Sequence, residues 1–319
     1  MAEHSNPRRK WLMLSAKLLV VALVTWWIVA TFRDAFAELS QHEWHVEPLW
    51  LAASAGFYLL GLLPSALYWH HVLRVMGQQA GVLETVRAYY IGHLGKYVPG
   101  KAMVVVLRAG LIRSHRIDTT VAAVSVFLET LTMMACGSAI AAVLLAIQFR
   151  GNTLLLTASL ALLFVAGIPT MPSVFRALAG KLLRSKMNDR VRAGLANVTY
   201  RTLALGWLAT GAGWVLLALS LWATLCGVGA SPDDLLSELD RYLAAVTLAV
   251  VAGFLSLIPG GAFVREAVFM KLLAREPYSP VMALVATVML RIVWLLAELI
   301  ISGILYVCGL GGDKGPREK

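Results

Sequence analysis

Long apolar runs constrain this chain more strongly than any other feature of its sequence. The runs at 11–32, 49–73 and 119–149 each reach the roughly 20 residues that an α-helix needs to cross the hydrocarbon core of a bilayer. Because no water reaches the backbone in that core, such runs fold as helices. Only 14% of the 319 residues are charged, against about a quarter in soluble domains. The sequence therefore predicts an all-α polytopic membrane protein.

The charge distribution predicts how the chain is oriented. The formal net charge is +10, which in a soluble protein would suggest a nucleic-acid partner. In a membrane protein the same charge is explained by cationic loops that stay on the cytoplasmic side, so no nucleic-acid partner is expected. The acidic stretches 33–48 and 229–240 are predicted to be external and the basic stretch 170–201 internal. Both termini are predicted to be cytoplasmic, with the protein in the cell (inner) membrane. The first run is predicted to stay as an uncleaved helix, since it is longer than the apolar region of a signal peptide.

Two apolar segments are interrupted in a way that a simple spanning helix is not. Residues 89–108 read YYIGHLGKYVPGKAMVVVLR, and residues 254–275 read FLSLIPGGAFVREAVFMKLLAR. Proline has no amide hydrogen and breaks a helix interior. Interrupted hydrophobic segments at corresponding places in two halves of a chain indicate a transporter's binding site. Each segment is predicted to be a re-entrant hairpin, at about 83–113 and 242–275.

The predicted architecture is a single transmembrane domain with two re-entrant hairpins in an inverted repeat and about six spanning helices, at 11–32, 49–73, 119–149, 153–168, 202–228 and 280–310. The first half covers 11–168 and the second half 202–310. If 242–275 crossed the membrane completely, the basic tail would end outside, whereas a hairpin returns it to the inside. The linker 169–201 has apolar residues near helical spacing among its basic residues. It is predicted to be an amphipathic helix on the inner membrane surface, with a solvated linker as the alternative.

Charged and helix-breaking residues within the apolar segments are the candidate binding residues. A charge at the centre of a membrane helix costs roughly 2.5–3.5 kcal/mol even by low estimates, so such residues face a cavity or pair with one another. Proline suits the first position of a half-helix, and the free amides after it favour an anion such as a phosphate. The carboxylates are expected to pair with the arginines or to relay protons. The alternative is a set of ion pairs that holds the bundle together and binds no ligand. The candidates are Lys96, Pro99, Gly100, Lys101, Arg108, Glu129, Pro259, Gly260, Gly261, Arg265, Glu266, Arg291 and Glu298.

Sequence signals for an enzyme, a metal or a cofactor are missing. There is no nucleotide-binding glycine loop after a strand pattern and no HExxH motif. The three cysteines, Cys136, Cys226 and Cys308, lie in apolar runs and are predicted to pack as small hydrophobic residues. His93 taken alone is weak support for a site, since a histidine at a helix end fits equally well at the membrane interface. The chain is expected to be neither an enzyme nor a cofactor-binding protein.

The two interrupted segments resemble signatures of a known family. GHLGKYVPGKAMVVVLR at 92–108, LSLIPGGAFVREAV at 255–268 and the segment around Arg291 resemble the lysylphosphatidylglycerol synthase transmembrane region family, also called flippase-like integral membrane proteins. The resemblance covers about 11–310. It implies a lipid flippase module, which in some family members is fused to a soluble synthase. That soluble part is not expected here, so the resemblance implies no synthase activity.

The resemblance also bears on individual positions. It implies roles for Gly95 and for every candidate above except Glu298. Family members often have glycine where Phe263 stands. A bulky side chain at that position is expected to narrow the cavity.

The function predicted from these features is lipid flippase-like transport in a bacterial or archaeal inner membrane. The protein is expected to move a polar or lipid-linked anionic head group between leaflets, with a membrane phospholipid or lipid-linked substrate as its partner. Since no ATP site is visible, transport is expected to be downhill or driven by an ion gradient. One alternative is an ion-coupled transporter of small solutes. The other is a non-transporting membrane partner of a lipid-modifying enzyme, which it would bind through 170–201.

Overall fold

The computed structural model describes residues 46–98, 102–114, 116–148, 153–182, 189–230, 235–256, 258, 261 and 263–312. In these residues the chain forms helices joined by turns. In chain order they are α1 (Pro48–Val75), α2 (Val82–His93), a 3-10 helix (Leu94–Tyr97), α3 (Ala102–Leu111), α4 (Thr119–Gln148), α5 (Thr153–Gly167), a second 3-10 helix (Ile168–Thr170), α6 (Pro172–Leu182), α7 (Asp189–Ala196), α8 (Tyr200–Gly227), α9 (Leu235–Leu255), α10 (Val264–Leu273) and α11 (Pro280–Gly312).

Four of the described helices are long and apolar enough to cross a membrane. They are α1, α4, α8 and the Pro280–Cys308 part of α11, with 28, 30, 28 and 29 residues. They confirm the helices predicted at 49–73, 119–149, 202–228 and 280–310. Together they make the chain a multi-pass membrane protein. The run at 11–32, predicted to be the first spanning helix, lies outside the described residues.

The helix predicted to span at 153–168 is shorter than a membrane crossing requires. α5 has 15 residues and is therefore about 22 Å long, less than the hydrocarbon core of about 30 Å. Prolines in the 3-10 turn and at the start of α6 end it, and the chain bends by 81° between Leu163–Thr170 and Pro172–Lys181. The described residues thus hold four candidate spans, or five if this bent helix pair is counted as one.

Both interrupted segments form pairs of helices separated by a break. The first hairpin consists of α2, the 3-10 helix and α3, and glycine lets its arms meet: a Cβ added to Gly95 would lie 2.7 Å from the Val104 amide nitrogen. The second hairpin consists of α9 and α10. In that hairpin a Cβ on Gly261 would lie 2.7 Å from the Gly253 Cα. α9 begins at Leu235, seven residues before the predicted start at 242, since residues 235–240 of the acidic stretch are helical.

The two ends of each hairpin lie next to each other. Gln78 precedes the first hairpin and Asp118 follows it. The Asp118 amide donates a 2.7 Å hydrogen bond to the Gln78 side chain. At the second hairpin, the hydroxyls of Tyr242 and Tyr278 are 2.6 Å apart. The chain therefore leaves each hairpin close to the point where it entered.

The two hairpins open at opposite ends of the bundle. Gln78 follows α1, and a Cβ on Gly194 of α7 would lie 3.0 Å from the carbonyl of Met76 at the same end. At the opposite end, Gln148 after α4 donates a 2.9 Å hydrogen bond to Asp240 of α9. Also at that end, the Glu47 amide before α1 donates to the Gly227 carbonyl of α8, at 2.9 Å.

α1 and α8 pack along their lengths, as the small residues of the GWLATGAGW stretch of α8 suggest. A Cβ on Gly213 would lie 2.7 Å from the Gly61 carbonyl oxygen, so glycine permits this backbone approach. Further along the same pair, the Ser54 hydroxyl lies 2.9 Å from the Ser220 hydroxyl and 2.8 Å from that of Thr224. Both arrangements fix the register of the two helices.

The basic linker forms two helices that rest on the bundle. The buried residues of α6 and α7, among them Phe175, Ala179, Val191 and Leu195, pack in one cluster with Tyr68, Val72 and Met76 near the end of α1 and with Val121, Val124 and Leu128 of α4. Their basic side chains, Arg176, Lys181, Arg190 and Arg192, are exposed. The protein itself therefore covers part of the apolar face of the amphipathic linker, while Leu178 of α6 is 40% exposed. Its placement on a membrane surface stays a prediction.

Candidate functional site

A cavity of about 280 Å³ lies between the two hairpins and the long helices. It brings together candidates from both halves of the chain: Lys96 and Arg108 from the first hairpin, Glu129 from α4, and Gly261 and Arg265 from the second hairpin. Val104 and Val105 line the cavity beside Arg108, so these three residues lie on one face of α3. The other lining residues are Tyr58, Leu62, Tyr89, His93, Val98, Phe127, Thr130, Leu131, Met133, Met134, Leu217, Val250, Gly253, Phe254, Ile258 and Trp294.

Arg108 is neutralised by Glu129. Its Nη1 lies 2.7 Å from Glu129 Oε2, with the arginine 2% and the glutamate 1% exposed. The Tyr89 hydroxyl donates to the other carboxylate oxygen at 3.1 Å. The guanidinium also lies over the Tyr89 ring, 3.7 Å from its centroid, an arrangement that favours a cation. The ion pair joins α3 to α4, and Tyr89 of α2 contacts both of its side chains.

Lys96 is neutralised by Glu298 of α11, which is 1% exposed. The Tyr58 hydroxyl of α1 also donates to the Glu298 carboxylate, and Lys96 Nζ donates to that hydroxyl at 3.1 Å. The Tyr58 ring is held by stacking on Trp294, with 4.5 Å between ring centroids. The cluster therefore connects the first hairpin with α1 and α11.

Arg291 of α11 pairs with Glu266 of the second hairpin. Arg291 and Glu298 are seven residues apart and were predicted to share one face of their helix. The structure places them in ion pairs with different hairpins and with opposite polarity. α11 thus holds the first hairpin by a carboxylate and the second by a guanidinium.

His93 lies between two of these ion pairs. Its Nδ1 is 3.3 Å from Arg108 Nη2, and its Nε2 is 3.7 Å from Glu298 Oε1. A neutral ring with its proton on Nε2 accepts from the arginine and presents its N–H to the carboxylate. Sequence analysis gave His93 little weight. The available signal was its spacing of three residues from Lys96, which puts both side chains on one helix face.

Arg265 differs from the other cations that line the cavity. Lys96 and Arg108 each have an ion pair, but in the described part of the chain Arg265 has none. Its Nε is buried and, like the Nε of Arg108, has no hydrogen-bond partner there. A Cβ added to Gly253 or to Gly261 would lie 2.8 or 2.9 Å from this nitrogen. The side chain is therefore positioned between two glycines and carries an uncompensated positive charge to the cavity wall.

The backbone conformation at Phe263 explains why glycine suits this position. It precedes α10 with φ 69° and ψ −45°, a backbone conformation that residues with a Cβ rarely adopt. Its side chain is not among the residues that line the cavity. The narrowing of the cavity expected from the bulk of Phe263 is therefore not found. The cost of a side chain at this position lies in the strained backbone conformation.

The remaining candidates are located less directly. Pro99, Gly100, Lys101, Pro259 and Gly260 lie outside the described residues. The cavity is not lined by Glu266, Arg291 or Glu298. Glu298 contacts two residues that do line it, Lys96 and Tyr58. Tyr58 and Tyr89 were missed by sequence analysis, because nothing separates them from other aromatic residues in apolar segments. Among the described residues no group of histidine, cysteine and acidic side chains fits a metal ion.

The cavity wall reaches the outer surface of the bundle at Phe127. This residue is 52% exposed and lies eight residues into α4, so it is about 12 Å from the start of that helix. Val98, also at the cavity, is 41% exposed. The cavity therefore has charged residues inside and a rim of exposed apolar residues.

Comparison with known proteins gives one result that covers the whole site. The family model described as "Lysylphosphatidylglycerol synthase TM region" matches residues 14–302, a range that includes both hairpins and α1 to α10. A search of curated proteins finds no match for the chain.

Proposed function

The chain belongs to the lysylphosphatidylglycerol synthase transmembrane region family, and we propose that it moves lipids with an anionic head group between the leaflets of the inner membrane. In this proposal it acts as a transporter, and no bond of the lipid is made or broken. The head group passes through the cavity while the acyl chains stay in the bilayer.

The observation that carries the proposal is the combination of buried charge with a lipid-facing rim. Lys96, Arg108 and Arg265 line one cavity, and each would be costly to bury without a function or a partner. Phe127 and Val98 at the same cavity are exposed at the bundle surface. A small hydrophilic solute needs no opening towards hydrocarbon, whereas a lipid does. The rim therefore favours a lipid over a small solute.

The arrangement of the hairpins supports two-sided access. The ends of each hairpin meet, and the two hairpins open at opposite ends of the bundle. We propose that both are re-entrant, that they belong to an inverted repeat, and that six helices span the membrane, with α5 and its 3-10 extension returning the chain from Gln148 to α7. Because α11 pairs separately with each hairpin, either side can open while the other stays closed.

The exposed basic faces of α6 and α7 favour a second candidate, in which a cytosolic enzyme docks on them. Arg190 and Arg192 are exposed next to the buried Val191, and opposite charge on a partner would complement them. Replacing both arginines with glutamine would abolish cellular function in that case. It would leave lipid translocation by the purified protein unchanged.

The proposed function is tested by translocation of fluorescent phospholipids in proteoliposomes. Lipids with phosphatidylglycerol, phosphatidylethanolamine and phosphatidylcholine head groups are compared, and the outer leaflet is quenched with dithionite. Lys271→Ala serves as the control, because this exposed cation lies on α10 away from the cavity. Inward or outward movement above that of protein-free vesicles supports the proposal. No movement of any head group by folded protein would overturn it.

A further inference from the structure

We propose that Arg265, at the amino end of α10, is the residue that binds the phosphate group of the transported head group. The inference rests on the proposed function and extends it. It selects one of the three cations, Lys96, Arg108 and Arg265, that line the cavity in the described part of the chain, and it names the ligand as a phosphate ester.

The charges of the cavity leave Arg265 as the binding group. Glu129 neutralises Arg108, and Glu298 neutralises Lys96. The carboxylate next to Arg265 in the sequence, Glu266, pairs with Arg291. The buried Nε of Arg265 has no hydrogen-bond partner among the described residues, and leaving a buried donor unsatisfied is unfavourable. An anion in the cavity would supply both the missing charge and the missing acceptor.

A phosphate fits this position better than other anions of similar charge. The planar guanidinium presents its donors as a fork that matches two oxygens of a phosphate. Arg265 also lies in the first turn of α10, before the first hydrogen bond from Ala267 to Phe263, at 2.9 Å. The amides of that turn have no acceptor within the helix, and the helix dipole favours negative charge there. A helix of 10 residues is long enough for this effect.

The first hairpin also holds an arginine, Arg108, against glycine, but the charge of this arginine is neutralised. A Cβ on Gly92 would lie 3.1 Å from the Arg108 amide nitrogen, just as Gly253 and Gly261 border Arg265. Arg108 is covered by Tyr89 and its charge is neutralised by Glu129, although its Nε, like that of Arg265, has no hydrogen-bond partner among the described residues. The two hairpins therefore each position one arginine on glycine, and the charge of the second is the one available to a ligand.

Binding is measured on the purified full chain in a neutral detergent. The probes are dihexanoyl-phosphatidylglycerol, dihexanoylglycerol, which lacks the phosphate, and inorganic phosphate, each titrated by isothermal calorimetry. The wild type and Lys271→Ala are expected to bind the phosphatidylglycerol and not the diacylglycerol. Arg265→Gln is expected to weaken that binding by about tenfold or more, since a charged hydrogen bond is lost. Arg265→Lys is expected to lie between them, because it keeps the charge without the fork.

A second variant keeps the test decisive if Arg265→Gln does not fold. Gly253→Ala leaves the charge in place and displaces the guanidinium, so it should weaken phosphatidylglycerol binding as well. Unchanged affinity in folded Arg265→Gln, or equal binding of dihexanoylglycerol, would overturn the assignment of Arg265. Binding of inorganic phosphate but not of phosphatidylglycerol, lost in Arg265→Gln, would support the phosphate site and overturn lipid transport.

Discussion

Glu298 of α11 interacts with side chains from α1, α2 and the first 3-10 helix. It accepts from Tyr58, pairs with Lys96 and faces the His93 ring, while its Oε2 has no hydrogen-bond partner among the described residues. A buried ion pair adds little net stability when both partners are present, yet removing one partner leaves an uncompensated charge. At the scale of single residues, this asymmetry makes the pair sensitive to mutation.

Glu298→Gln is expected to lower the free energy of unfolding by about 3 kcal/mol, because Lys96 would keep its charge without a carboxylate. Denaturant unfolding in detergent measures the change. The double variant Lys96→Met with Glu298→Gln should recover most of the loss, since no charge is then left unpaired. A double variant as unstable as the single one would show that the charge of Lys96 is not the cause.

Phe263 offers a test of backbone strain that is separate from the loss of the ring. Phe263→Ala and Phe263→Gly both remove the aromatic side chain, but alanine keeps a Cβ at φ 69°. The glycine variant should therefore be more stable than the alanine variant by about 1 kcal/mol. Thermal unfolding of the two variants side by side measures it. Equal stability would mean that the position tolerates a Cβ without strain.

At the scale of helices, sequence reasoning predicted the breaks and the long apolar elements but not the partners of the charges. Proline and glycine interrupt apolar runs locally, so both hairpins were visible in the sequence. Lys96 and Glu298 are 202 positions apart, and nothing local joins them. The shared face of Arg291 and Glu298 was predictable from helical periodicity. Their division between two hairpins depends on how the hairpins pack, which periodicity does not contain.

Close packing within the first hairpin gives a prediction for two of its glycines. Gly95→Ala is expected to destabilise the protein by about 2 kcal/mol, the range of overpacking in a filled core, because its Cβ would meet the Val104 amide at 2.7 Å. Gly110→Ala on α3 is the matched control, with nothing within 4 Å of the added carbon. It should be neutral or slightly stabilising, since alanine favours a helix.

Thermal unfolding in detergent compares these two glycine variants. Equal effects of both substitutions on stability would contradict tight packing around Gly95. A loss of lipid translocation in Gly95→Ala at a temperature where the variant is folded would add that the spacing of the arms matters for transport.

At the scale of the whole molecule, the two ends of the bundle differ in charge. The end with Gln78 and Asp118 carries the exposed Arg74, Arg113 and Arg116 together with α6 and α7. The opposite end carries Glu47, Glu238 and Asp240. By the positive-inside rule we expect the first end to be cytoplasmic. The first hairpin would then open to the cytoplasm and the second to the outside, the arrangement that the proposed inverted repeat requires.

Cysteine labelling in cells tests this topology with one reporter at each end of both hairpins. In a background without Cys136, Cys226 and Cys308, the exposed positions are replaced singly: Leu83→Cys and Ser114→Cys at the first hairpin, and Leu236→Cys and Glu276→Cys at the second. A membrane-impermeant maleimide should label the second pair in intact cells, and the first pair only after permeabilisation. The reason is that a re-entrant hairpin keeps both of its ends on one side. Opposite labelling of Leu236→Cys and Glu276→Cys would mean that α9 and α10 cross the membrane. Labelling of all four from one side would mean that the hairpins do not face opposite leaflets, and two-sided access to the cavity would fail with it.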